Sequence, residues 1–170
     1  MTSSTFLNDD GTVTQYFNIK SKASFMNGAV VVNSTVYYER YYTGKFKYTK
    51  VTQIDISTKT SSGFKVDDMM LTGGQNDIEN NREIKIKETN KGNLVCKPGF
   101  KNRIIDYGED NFTVIGAYID ITFSRNSGKK YTAQIINQLY QNEYVFDGEI
   151  YQGEVDLYGI LVESLQRGER

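Results

Sequence analysis

A chain of 170 residues with a formal net charge of −1 fits one domain, or two very small ones. It can bury a core without disulfide help and has no global attraction for nucleic acid or an anionic membrane. It has no His, which excludes Ser-His-Asp and Cys-His catalysis and His-based zinc sites, and its one cysteine excludes thiolate clusters and an internal disulfide.

Met1-Thr2-Ser3-Ser4-Thr5 lacks the basic and apolar regions of a signal peptide. Either the chain is not exported as written, or an export signal has been removed. Residues 1–11 read as an N-terminal arm. No segment reaches the apolar length that spans a bilayer.

From Thr12 to Met26, Val13, Phe17, Ile19, Ala23 and Phe25 share one parity, with Gln15 and Ser21 as polar exceptions. A period of two predicts a strand. Asn27-Gly28 follows, the strongest short hairpin signal, because a type I′ turn needs positive φ at both central positions. Beyond it Val30, Val32, Val36, Tyr38 and Tyr42 again share one parity. A two-residue loop makes partner numbers sum to 55. Phe25 then faces Val30, Ile19 faces Val36, Phe17 faces Tyr38 and Val13 faces Tyr42. Even the exceptions meet, Ser21 with Ser34 and Gln15 with Arg40. A slip of one residue would set each apolar series against a polar one. Tyr38 and Tyr42 are therefore expected in the core. Tyr16, Tyr37 and Tyr41 fall on the opposite face and form the candidate contact surface. They either pack across strands on a partly covered face or offer a platform for a ring-shaped ligand.

Gly44 marks a turn or a bulge. Phe46, Tyr48, Ile54 and Ile56 share parity and predict a third, half-buried strand with a polar outside. Lys45, Lys47 and Lys50 interleave with these rings in the manner of a nucleic-acid surface. Lys45 and Lys47 lie opposite Phe46 and Tyr48, however, so rings and cations do not act together, and no nucleic-acid partner is expected. Ser61-Ser62-Gly63 ends the strand. Phe64-Lys65-Val66 reads as a short strand, and residues 72–81, polar and rich in Gly and Asn, as the best loop in the chain.

Glu83-Ile84-Lys85-Ile86-Lys87 alternates as a strand, and Asn90-Lys91-Gly92-Asn93 turns it into Leu94-Val95-Cys96. Those apolar neighbours predict a buried thiol rather than a nucleophile. Pro98 and Gly99 open an irregular stretch. Asp67-Asp68, Asp77 with Glu79, and Asp106, Glu109 and Asp110 are the carboxylates that a calcium ion would use. None has EF-hand spacing, and solvated loops are the simpler reading, so neither metal nor cofactor is expected.

A second hairpin joins Ile115, Ala117, Ile119, Ile121 and Phe123 to Tyr131, Ala133, Ile135 and Leu139 across Asn126-Ser127-Gly128. Charge is uneven along the chain. Up to Thr60 seven Lys/Arg stand against four Asp/Glu, whereas from Tyr131 onward two stand against seven. Residues 140–170 read as an acidic strand or arm broken at Gly148 and Gly153. Val145, Ile150, Val155 and Leu157 are its candidate docking residues, and Gly159-Ile160-Leu161-Val162 would start a short terminal helix. Such an arm would dock on the basic N-terminal part of its own domain or of a neighbouring copy. The whole pattern, about eight to ten strands with short turns, predicts an all-β antiparallel sandwich or barrel, with residues 12–139 as its domain.

The stretch "FNIKSKASFMNGAVVVNSTVYYERYYTGKFKYTKVTQI" resembles the start of small uncharacterised β-sandwich domains in secreted proteins of Gram-positive bacteria. "VIGAYIDITFSR" and the hairpin after it are similar to their closing strands. Together these cover roughly a third of the chain. The resemblance implies an extracellular β-sandwich without assigned activity and carries over no catalytic residue. A non-enzymatic module, secreted or surface-displayed by a bacterium and acting by protein or glycan contact, is the first expectation. The same composition suits a bacteriophage virion component (decoration, tail or adaptor) whose strand edges and charged tail join copies. A small carboxylate-dependent hydrolase is the third.

Overall fold

The computed structural model describes residues 4–76, 81–105, 115–139, 141–146, 149–152 and 154–155. Its regular structure is antiparallel β throughout, in two sheets that share one core. In the first sheet β1 (Ser4–Leu7), β2 (Val13–Phe25), β3 (Val30–Tyr42) and β4 (Lys47–Thr60) lie in order. β7 (Asn93–Cys96) and β8 (Arg103–Ile105) both pair along the far side of β4, and β13 (Glu154–Val155) pairs with β2. The second sheet runs β12 (Glu149–Gln152), β11 (Gln141–Phe146), β10 (Lys130–Gln138), β9 (Ile115–Arg125), β5 (Phe64–Asn76), β6 (Arg82–Thr89). The strand segments outnumber the eight to ten expected because long β2 and β4 each carry two short partners end to end. The terminal helix expected at 159–162 lies outside the described residues. Among the described residues no helix is long and apolar enough to cross a membrane.

The β2–β3 register is the one that the turn dictates. Phe25 pairs with Val30, Ile19 with Val36, Phe17 with Tyr38, Val13 with Tyr42, Ser21 with Ser34 and Gln15 with Arg40. Asn27 and Gly28 have φ of 55° and 85°, and the Ala29 N–H donates to the Met26 carbonyl at 3.2 Å. Phe17 stacks on Tyr38 with ring centroids 5.2 Å apart. The Ser21–Ser34 pair has a partner from the other sheet. Asn137 Nδ2 on β10 donates to Ser34 Oγ at 2.8 Å and reaches the Ile19 carbonyl at 3.3 Å. Of that inward pair Ser34 thus takes part in a polar bridge between the sheets, made by Asn137 Nδ2. Tyr42 is not in the core as expected. It is half-buried at the end of β3, with Lys47 Nζ 5.6 Å from its ring centroid.

Two further expectations are corrected. Residues 72–81 are not a loop from their start. Thr72–Asn76 complete β5, which is central between β9 and β6. Gly73 reads as a turn residue but serves close packing, since a Cβ there would stand 2.6 Å from Ile54 Cδ1 of the facing sheet. The third strand changes face partway. Tyr37 pairs with Gln53 but Tyr38 with Val51, so Thr52 is an extra residue, a β-bulge. Ile54 and Ile56 face the core on one side of the bulge, Thr49 and Val51 on the other. Phe46 and Tyr48 are thereby turned outward, the reverse of the half-buried aromatic row expected from simple parity.

The bulge is held from across the core. The Val51 N–H donates to Gln75 Oε1 at 2.8 Å, and Gln75 Nε2 donates to the Lys101 carbonyl at 2.6 Å and to Glu83 Oε2 at 3.1 Å. Arg103 Nη2 donates to Glu83 Oε1 at 2.6 Å.

At the other end an aromatic cluster joins both sheets. Phe123 on β9 has neighbours Phe25, Phe64, Tyr131 and Phe146 at centroid separations of 5.4–6.4 Å. Tyr144 and Phe146 on β11 belong to this cluster, Tyr144 at 5.1 Å from Phe25. Among the described residues of the acidic segment, these two pack against the core. Val145 has the other parity and pairs in register with Gln134 and Ile150, while Val155 pairs with Ser21. Leu157 lies outside the described residues. Cys96 is buried, as expected.

Candidate interaction surface

β-strand alternation gives the first sheet an outer face as well as a core face. One cross-strand row on it reads Phe6, Thr14, Tyr41, Tyr48, Ile104. Five strands at the usual spacing make it about 19 Å long. The adjoining row holds Tyr16, Glu39 and Lys50, the last two joined by an ion pair of 2.9 Å. Phe6 and Tyr16 meet edge to face at 5.6 Å, Tyr41 and Tyr48 at 6.0 Å, Phe46 and Tyr48 at 6.3 Å. Phe6, Phe46 and Tyr16 are 54 %, 49 % and 43 % exposed. A band of rings half open to solvent therefore crosses the sheet, flanked by a fixed ion pair.

Two of the three candidate tyrosines, Tyr16 and Tyr41, lie in this band. Tyr37 does not. It sits farther along the same face, pairing with Gln53 next to Asp55. Burial first, then the Asp55 charge and a hydrogen bond to that carboxylate, raise the Tyr37 hydroxyl above its ordinary value near 10. A raised value in the folded state means that this contribution to stability is complete below pH ~10 and lost as pH climbs above it. Tyr37→Phe should therefore lose less stability than the unmodified chain between pH 9 and 11, measured as melting temperature against pH; identical alkaline slopes would refute the contact.

Phe6, Phe46, Tyr48 and Ile104 complete the band; simple parity sets Phe46 and Tyr48 in a half-buried row and does not mark Phe6 or Ile104. Tyr48 and Phe46 would have been found had the bulge at Thr52 been recognised. Phe6 stands in a four-residue strand too short for periodicity to mark. Of the carboxylates considered for calcium, Asp67 accepts from Ser124 Oγ at 3.2 Å and lies 3.7 Å from Lys65 Nζ, and Asp68 is exposed. Asp77, Glu79, Asp106, Glu109 and Asp110 lie outside the described residues. Among the described residues no group of three or more His, Cys, Asp or Glu is placed to hold a metal ion. Comparisons with family models, curated proteins and solved structures find no match to this chain.

Proposed function

We propose that this chain is a non-enzymatic β-sandwich module, secreted or displayed on a bacterial surface, that binds a protein or glycan partner through the aromatic outer face of its first sheet. The observation that carries the reading is the ring band in which Phe6, Tyr16 and Phe46 are exposed beside partly buried Tyr41 and Tyr48. Aromatic side chains combine large apolar area with little conformational entropy, so solvent-facing clusters of them act as anchors at interfaces. The bacterial-surface placement is supported by the resemblance of residues 17–54. The lack of His and of a cysteine pair supports contact rather than catalysis.

Titration of the labelled protein with a chitin hexasaccharide and, separately, with a decaproline peptide tests the band by NMR. Shifts should concentrate on Phe46, Tyr48 and Tyr41, and Phe46→Ala with Tyr48→Ala should weaken binding by at least tenfold. Shifts confined to the second sheet, or none with either probe, would sink the assignment.

A second reading, a virion component that joins copies through strand edges, draws support from β1. This four-residue edge strand carries no charge, and its Phe6 and Leu7 are 54 % and 77 % exposed. Edges of that kind invite pairing, which proteins usually oppose with charge.

A further inference from the structure

The second sheet has an unusual outer face. Gly74 on β5 pairs directly with Gly116 on β9, and together they floor a trough of about 230 Å³ walled by Thr72, Ile84, Tyr118 and Gln138. The two glycines have different reasons to be there. A Cβ on Gly116 would collide with the Asn137 carbonyl and stand 2.6 Å from Gln138 Cα, and its φ is +151°. The fold requires that glycine. A Cβ on Gly74 would meet nothing nearer than the Glu83 carbonyl at 3.6 Å, an ordinary contact. Packing does not require this one, yet glycine inside a strand costs backbone entropy and marks a place where another body approaches closely.

The wall of the trough points the same way. On edge strand β6 the outer parity holds Arg82, Ile84, Ile86 and Glu88, all exposed, with Ile84 and Ile86 59 % and 56 % exposed, while Lys85 and Lys87 take the other parity. Two isoleucines thus stand open to solvent between an arginine and a glutamate. The chain also carries a complement to this face. Phe6 offers an exposed ring, and the turn just after it carries two exposed carboxylates, Asp9 and Asp10. The Thr12 hydroxyl, and then its N–H, hold the Asp10 carboxyl below the usual carboxylate range.

We propose that a second copy of the chain docks head to tail on this face, its Phe6 ring seated in the Gly74–Gly116 trough and its Asp9–Asp10 turn beside Arg82. A trough of this size takes one phenyl ring, and exposed Arg82 at its end is opposite in charge to the Asp9–Asp10 turn, while Glu88 stands farther along β6. Ring and trough lie on different sheets, so the contact is heterologous: every copy that gives a ring still offers a trough, and assembly continues past the dimer. This deepens the second reading above and rests on it.

Sedimentation velocity from micromolar to millimolar concentration tests the proposal. The unmodified chain should grow beyond a dimer. Gly74→Val, which fills the trough, and Phe6→Asp, which removes the ring, should each raise the concentration for growth at least tenfold. The Gly74→Val melting temperature should hold or rise, since valine suits a strand. Ile84→Glu, at an exposed position, serves the same purpose should Gly74→Val not fold. An equimolar mixture of Gly74→Val and Phe6→Asp should form dimers and nothing larger, because one supplies the ring and the other the trough. Growth of the unmodified chain that neither variant reduces, or a mixture that stays monomeric, would overturn this interface and leave assembly through other edges standing. A monomer at every concentration would overturn both.

Discussion

Phe123→Ala is expected to lower stability by about 3–5 kcal/mol, the largest loss of any single side chain considered. Phe123 is fully buried and its ring touches aromatic side chains from four strands, β2, β5, β10 and β11. Phe25 comes from the other sheet, so the cavity would open between the sheets rather than within one. Tyr131 and Phe146 both stack on Phe123, at interplanar angles of 21° and 24°, and would lose their partner together. Such pairs add about 0.5–1.5 kcal/mol each beyond area burial. For a chain of this size the change corresponds to roughly 10 °C in melting temperature. Urea unfolding of Phe123→Ala beside Phe123→Leu would measure it, with leucine losing clearly less. A loss under about 1 kcal/mol for alanine would mean that the cluster collapses to fill the gap and does not join the sheets.

That cluster also shows which parts of the fold were legible in the sequence. The β9–β10 hairpin was readable, because Ile115 to Phe123 and Tyr131 to Leu139 alternate cleanly on each side of a Gly-containing turn. The β2–β3 register was readable for a stronger reason. Asn27-Gly28 dictates a two-residue loop, and that arithmetic alone places all six anticipated pairs. Both cases are local: the turn chemistry and the alternating residues are neighbours along the chain.

What escaped the sequence depends on contacts between distant segments. Gly73 signals a turn in isolation and a packed strand only when Ile54 of the other sheet stands against it. The bulge at Thr52 needs an acceptor for the Val51 N–H, and that acceptor, Gln75, lies 24 residues away. Without the bulge the faces of Phe46 and Tyr48, two of the five rings of the band, come out inverted. In the acidic segment Tyr144 and Phe146 compete with Val145 and Ile150 for the core face. Parity cannot choose between two apolar series, whereas the position of Phe25 and Phe123 does. The shared outer face of Tyr16, Tyr37 and Tyr41 follows from the hairpin, whereas parity, which gives a face and not a place along it, does not show that Tyr37 stands apart.

Gln75 carries the second large effect. Gln75→Leu keeps the side-chain size but leaves the Val51 N–H without its acceptor in a buried site, and it removes the donors to Lys101 and Glu83. A loss of about 1–3 kcal/mol is expected for the stranded buried group. Gln75→Glu separates the two halves of the role. It keeps an oxygen for Val51 but sets a second carboxyl against Glu83, whose other oxygen already accepts from Arg103. Burial and a neighbouring carboxylate both raise the value of such a carboxyl in the folded state above the ordinary Glu value of about 4.3. The sign follows from linkage: the variant is most nearly intact below that value, where the new group is protonated, and loses stability as pH rises toward 7. The leucine variant adds no such group, and its deficit should change with pH much less over the same interval. Equilibrium unfolding of both variants between pH 4 and 7 distinguishes them. A glutamate variant whose deficit does not grow with pH would show that Gln75 does not face Glu83. The turned-out Phe46 and Tyr48, which depend on the bulge that Gln75 holds, would then need another cause.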